Sequence, residues 1–154
     1  IENVHTKNVS TEFGEFKLDV WRDVIFDEYH FSLTKGFPEK ADVPMVRVQT
    51  QSVLQDTLGI DEIGKKWSIR KSLQKIADTG TGVFVLINHR DAKAYWLSSL
   101  KDENIEPKRN RRVIGIGSQI LRALGLSKIN VLGTPTKYSG LSGFNIEIEG
   151  FVDE

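Results

Sequence analysis

Val83-Phe84-Val85-Leu86-Ile87 is a continuous apolar run of strand length, and it constrains the fold of this chain more than any other segment. A strand with apolar side chains at successive positions is expected to be covered on both faces. The segment just ahead supplies one cover. Counting from Trp67, the residues Ile69, Leu73, Ile76 and Ala77 recur at helical spacing with Lys and Arg between them, and Gly80 stands beyond as a C-terminal cap. An amphipathic helix followed by a buried strand implies α/β packing, with helices laid on a mixed sheet.

The remaining segments extend that sheet. Phe16, Leu18 and Val20 alternate with Lys17, Asp19 and Trp21 after Gly14, the period of a half-exposed strand. Tyr29 to Leu33 repeats the pattern and ends in a turn at Lys35-Gly36 and Pro38. Pro44 to Thr50 reads as a third strand, and the two opening strands before it, with short loops, predict an antiparallel start. Trp96, Leu97 and Leu100 suggest a short helix, Lys101 to Asn110 a polar loop carrying Pro107, and Gly117 to Leu124 a second long helix. Ile129 to Leu132 and the alternation of Phe144, Ile146 and Ile148 close the set of strands.

A chain of 154 residues reads as a single domain, residues 1–154, able to bury most of its unfolded surface without a staple. With no cysteine it is not a disulfide scaffold, and no apolar run approaches the roughly 18 residues of a membrane span. Lys plus Arg equals Asp plus Glu, so no long-range field draws nucleic acid or an anionic membrane. These features predict a cytoplasmic protein. The start at Ile1, followed by polar residues and no leader pattern, reads as a domain excised from a longer protein.

Several motifs point to one family. Pro44 to Asp56 resembles the Pro-Val-Leu-Val-Arg-Val-His-Ser-Glu-Cys-Leu-Thr-Gly-Asp signature of GTP cyclohydrolase II, with Arg47, Val48 and Asp56 matching. Leu73 to Val83 is similar to its Leu-x-x-Ile-Ala-x-x-Gly-x-Gly-Val stretch. Gly115-Ile116-Gly117-Ser118-Gln119-Ile120-Leu121-Arg122-Ala123-Leu124-Gly125 resembles Gly-x-Gly-Ala-Gln-Ile-Leu-Arg-Asp-Leu-Gly, and Lys137 with Gly140 to Phe144 resembles Lys-x-x-Gly-Leu-x-Gly-Tyr. Ser10 to Phe16 resembles the N-terminal Pro-Thr-x-x-Gly-x-Phe. The order and spacing of these matches imply the GTP cyclohydrolase II fold, and by family habit a fusion behind 3,4-dihydroxy-2-butanone 4-phosphate synthase in riboflavin biosynthesis. Magnesium is then expected in the synthase half and no cofactor in this one.

The resemblance also shows what has been replaced. The family's Cys-x10-Cys-x-Cys zinc ligands fall by ungapped counting on Ser52, Ile63 and Lys65, a hydroxyl, an alkyl chain and an ammonium. A catalytic zinc takes three thiolate, imidazole or carboxylate donors, so no metal is expected here. The family's Arg-Gln-Glu-Gly-Arg-Gly-Ile-Gly-Leu loop is replaced by Asn88 to Tyr95, on a shorter path to Gly115. Of the family's Asp-x-Arg pair, Arg112 keeps the arginine while Asn110 stands for the aspartate, and an amide does not accept a proton at neutral pH. Ring-opening hydrolysis of GTP is therefore not expected.

Lys108 to Arg112 reads either as a solvated basic loop or, before a glycine-rich helix start, as a remnant phosphate site. Arg112, Lys137 and Thr134 are the candidate ligand-binding residues. His5, His30 and His89 read as structural, Tyr95 falls beside a deletion, and Trp21, Trp67 and Trp96 read as packing or interface residues. Three functions stay open: a non-catalytic dimerisation or regulatory module for the synthase, a nucleotide- or phosphate-binding relic, and a cyclohydrolase of altered chemistry. The expected partners are the synthase domain of the same chain and a second copy.

Overall fold

The computed structural model describes the chain except residues 61–66, 89–96, 98–99, 102–106, 134–144 and 153–154, and gives only the backbone at 107–111. One sheet of seven strands runs through it in the order β1-β2-β3-β5-β4-β6-β7. Its strands are β1 (Glu2–Thr11), β2 (Gly14–Asp23), β3 (Glu28–Lys35), β4 (Met45–Thr50), β5 (Gly82–Ile87), β6 (Lys128–Leu132) and β7 (Glu147–Val152). The first three form an antiparallel meander whose β3 pairs antiparallel with β5, whereas β5, β4, β6 and β7 are parallel.

The two helices with described bounds cover opposite faces. Helix α1 (Ile69–Thr79) begins where the Ser68 hydroxyl accepts from Lys71 N and ends at Gly80, whose φ of 87° is the left-handed conformation a side chain resists. It packs Leu73 and Ile76 on Phe16 and Phe84, with Leu33 and Met45 alongside. Helix α2 (Pro107–Ala123) packs Ile116, Ile120 and Leu121 on Val46, Val83, Val85, Ile87, Ile129 and Val131. Ile120 and Leu121 are almost wholly buried, which is worth about 1.5–3 kcal/mol each. Both faces of β5 are thus covered, as its unbroken apolar run requires.

Two expectations need correction. Residues 2–11 form an opening strand, so three strands rather than two precede β4. This edge strand is nearly all exposed and lacks an apolar row, but Asn3 and Thr6 donate to the buried carboxylate of Asp19 on β2, at 2.9 Å for Asn3. On β2, Asp19 and Trp21 are 3% and 5% exposed, so Trp21 packs in the interior. Trp21 donates Nε1–H to Ser32 Oγ at 2.9 Å, on the sheet face where α2 packs. Helix α2 also starts ten residues earlier than Gly117, within the segment read as a loop. Proline is well suited to the first helical position, where its missing N–H costs nothing.

The strand after Gly143 begins at Glu147, with Ile146 buried just ahead of it, and Phe144 lies outside the described residues. Leu97 and Leu100 are helical, as their spacing predicts, whereas Trp96 lies outside the described residues.

The strand order marks the region where sheets of this kind bind ligands. From β4 the chain passes through α1 to β5 on one side, then through α2 to β6 on the other side of β4. Ligands in open sheets of this kind bind beyond the carboxyl ends of the parallel strands, where the winding reverses. Here that region lies beyond the strand ends at Thr50, Ile87 and Leu132.

Candidate functional site

Ser52, Arg112, Thr134 and Lys137 were singled out by sequence, and two of the four are described. Ser52 follows the end of β4 and is buried. Its hydroxyl accepts from Gln55 N at 3.3 Å, and its own N–H donates to Asp56 Oδ2 at 2.8 Å, capping a short turn at Val53–Thr57. Its oxygen is therefore engaged as a cap, and with an alkyl chain at Ile63 and an ammonium at Lys65 the donor set does not fit zinc. Ile63, Lys65, Thr134 and Lys137 lie outside the described residues, as do His89 and Tyr95. The backbone of Asn110 is in α2, and its side chain is not described.

Arg112 shows where the resemblance and the present structure part. The hairpin of β2 and β3 reaches past the carboxyl end of β5, since Phe31 pairs with Leu86 and Glu28 lies three residues further on. There the Glu28 carboxylate, 3% exposed, makes an ion pair with the Arg112 guanidinium, and Asp23 Oδ2 lies 3.9 Å from the same guanidinium. Phe26, in the hairpin turn, lays its ring on it at 3.7 Å from the centroid. Burial lowers the Arg112 pKa from its ordinary value and Asp23 partly offsets this, while an arginine remains charged throughout the physiological range.

The glycine-rich motif has a packing role. Gly117 lies ten residues into α2, where backbone N–H groups are used by the helix ladder, so it is not the free helix start on which a phosphate site was argued. A Cβ at Gly117 would sit 2.9 Å from Val48 Cγ1, so the missing side chain lets α2 close on β4. Lys108 to Arg112 lies within the helix rather than in a loop.

Asp23, Glu28 and His30 bring possible ligand atoms within 4.8 Å of one another, a cluster the spacing of the histidines did not suggest. The signal was present as Glu28-x-His30, which puts both side chains on one face of β3. His30 is fully buried, and its Nδ1 accepts from Asn88 N at 3.0 Å. A neutral ring with Nδ1 so engaged carries its proton on Nε2 and presents a donor, whereas a metal needs a lone pair. The arrangement suits hydrogen bonding to carboxylates better than cation binding.

Arg47, matched to the family signature, is also structural. Nε donates to Gln49 Oε1 at 3.0 Å, Nη1 to Leu132 O at 2.9 Å and Nη2 to Trp67 O at 3.1 Å, with the residue 3% exposed. Trp67 in turn donates Nε1–H to Val152 O at 2.9 Å. One side chain thereby joins the ends of β4 and β6 to the entry of α1.

Comparison with known proteins agrees with these motifs. The GTP cyclohydrolase II family pattern matches residues 2–153. A 3,4-dihydroxy-2-butanone 4-phosphate synthase from Pseudomonas aeruginosa is 30% identical over 154 residues, covering 96% of this chain and 42% of the relative. The riboflavin biosynthesis protein RibBA of Cytophaga hutchinsonii is 30% identical over 156 residues, covering 92% of this chain and 38% of its own length. Among solved structures, a two-domain 3,4-dihydroxy-2-butanone 4-phosphate synthase from A. baumannii superposes with a TM-score of 0.67 at 27% identity, over 99% of this chain and 40% of that one. The chain spans about two fifths of the length of these relatives.

Proposed function

Because the chain belongs to the GTP cyclohydrolase II family, we propose that it is a zinc-less, non-catalytic domain of a riboflavin-biosynthesis protein, fused behind a 3,4-dihydroxy-2-butanone 4-phosphate synthase part that it serves in dimerisation or regulation. The observation that carries this reading is the state of Arg112. Its guanidinium pairs with a buried carboxylate, lies near a second and is stacked by Phe26, all from the neighbouring hairpin. An arginine kept for phosphate presents its donor fork to the ligand; here the fork faces Glu28.

The chemistry of the family's reaction has lost its other supports as well. Zinc lowers the pKa of an attacking water to about 7, and the Ser52, Ile63 and Lys65 set does not replace the thiolates that would hold it. Asn110 offers an amide where the resemblance implies a proton-accepting carboxylate. Phosphate or nucleotide binding through Arg112, Thr134 and Lys137 requires Arg112 to leave Glu28 and Asp23. In this reading magnesium belongs to the synthase part, the protein is cytoplasmic, and no helix among the described residues is long and apolar enough to cross a membrane.

The test is removal of residues 1–154 from the full-length protein. The synthase rate or the oligomeric state, read by sedimentation, should change severalfold or by a whole step of assembly. A truncated protein with the parent's rate and the parent's mass would refute the proposal.

A further inference from the structure

Exposed apolar residues gather at one end of the meander. Of the eleven large hydrophobic residues exposed among those described, Ile1, Val4, Val24, Ile25, Phe26 and Tyr29 lie on or beside the β2–β3 turn and the start of β1. The register explains the grouping, since Glu2 pairs with Arg22 and Arg22 with Tyr29 across adjacent strands. Ile25, at the tip, is 82% exposed, more than any other large hydrophobic residue described. Monomeric soluble proteins scatter such residues singly, and a contiguous patch marks an interaction site.

The tip is also held in place. Asp23 Oδ1 accepts from Ile25 N at 3.0 Å, Arg22 donates to Asp27 Oδ1 at 2.9 Å, and Asp27 takes a left-handed φ of 51° to close the turn. Phe26 rests on Arg112, which pairs in turn with Glu28. The surrounding charges largely satisfy one another, as Arg22 also reaches Glu2 at 3.3 Å. A rigid apolar knob with a paired rim suits an apolar protein surface, because little ordering entropy remains to be lost on binding and no bare charge must be desolvated.

The occupant follows from the fusion proposed above together with the place of β1 in the sheet. Arg22 bonds both Glu2 and Asp27, so the start of β1 lies beside the tip, and a synthase part fused ahead of this domain would stand next to it. We infer that Val24, Ile25 and Phe26 form the docking surface of this domain for an apolar patch on the synthase part of the same protein, with the relic Arg112 bracing the knob from behind. This inference rests on the fusion proposed above.

Photo-crosslinking tests it. Ile25→p-benzoyl-phenylalanine is placed in the full-length protein, where the exposed tip tolerates a larger side chain, and Phe37→p-benzoyl-phenylalanine serves as control at an exposed site 67% accessible on another loop. The expected result is at least a tenfold excess of crosslinks from position 25 over position 37, mapping to peptides of the synthase part. Crosslinks from position 25 into residues 1–154 of a second copy would overturn the inference in favour of self-association. No excess over position 37 would overturn docking altogether while leaving the fusion standing. A full-length protein without a synthase part would overturn the reading beneath it.

Discussion

Arg47→Met should destabilise the domain by about 3–5 kcal/mol, the sum expected when a buried, multiply bonded charge is removed and its partners lose their donors. Methionine approximates the length of the arginine stem but donates nothing, so Leu132 O and Trp67 O each lose a hydrogen bond now made at 2.9 and 3.1 Å. The cost of an unsatisfied buried carbonyl is about 1–3 kcal/mol, and two such groups dominate the estimate. For a domain of this size the melting temperature should fall by roughly 8–15 °C. Arg47→Lys should recover little, because an ammonium is a compact point charge without the guanidinium's planar fork. Urea unfolding of the variants checks the prediction. A loss under about 1 kcal/mol for the methionine variant would mean the network is dispensable.

Glu28→Ala has the next largest expected effect, about 2–3 kcal/mol. Removing one partner of a fully buried pair costs about 3–5 kcal/mol, and the figure is reduced here because the Arg112 side chain is 27% exposed and can recruit water. The loss should be strongly coupled to Arg112. In the double variant with Arg112→Ala, Glu28 is no longer the only partner removed, and the combined loss should fall short of the sum by about 1–2 kcal/mol. Additive losses in a thermal or urea cycle would show that Glu28 and Arg112 do not act as a pair. Glu28→Gln keeps the volume and an acceptor oxygen, so it should cost less than the alanine change.

These two residues also show how unevenly the fold was legible. Buried β5 and amphipathic α1 were readable because period and apolar content agree, and Gly80 marks the helix end by a conformation that its sequence position requires. Strand β1 was not readable because an edge strand in water has no face to bury, and its stabilising contacts come from Asn3 and Thr6 to Asp19 on another strand. The early start of α2 was hidden by a basic run and a proline, two features that suggest a loop until proline is placed at the first turn. On β3, Phe31 and Leu33 gave a correct strand period, yet the alternate row of Glu28, His30, Ser32 and Thr34 is the more buried one. Polar side chains can occupy a covered face when partners meet them there, and those partners are distant in sequence.

The site was legible as a set of replacements and not as an arrangement. Comparing motifs identified Ser52 as a replaced position and Arg112 as a retained one, but nothing local to Arg112 indicated that Glu28, Asp23 and Phe26 would engage it. Gly117 had a recognisable neighbourhood and an incorrect expected role, since it lies inside α2 and makes the close contact of that helix with Val48. Family motifs specify which backbone positions are retained. Whether they retain their chemistry depends on what faces them.

The most direct test of the account is release of formate from GTP by the purified protein supplied with zinc, with bound metal measured on the same sample. The account predicts no formate above the buffer rate and no stoichiometric, tightly bound zinc, since the thiolate, imidazole or carboxylate set such binding requires is missing. Formate release that rises with stoichiometric zinc would contradict it, because a working metal site would then exist that neither Ser52 nor the Asp23, Glu28 and His30 cluster explains.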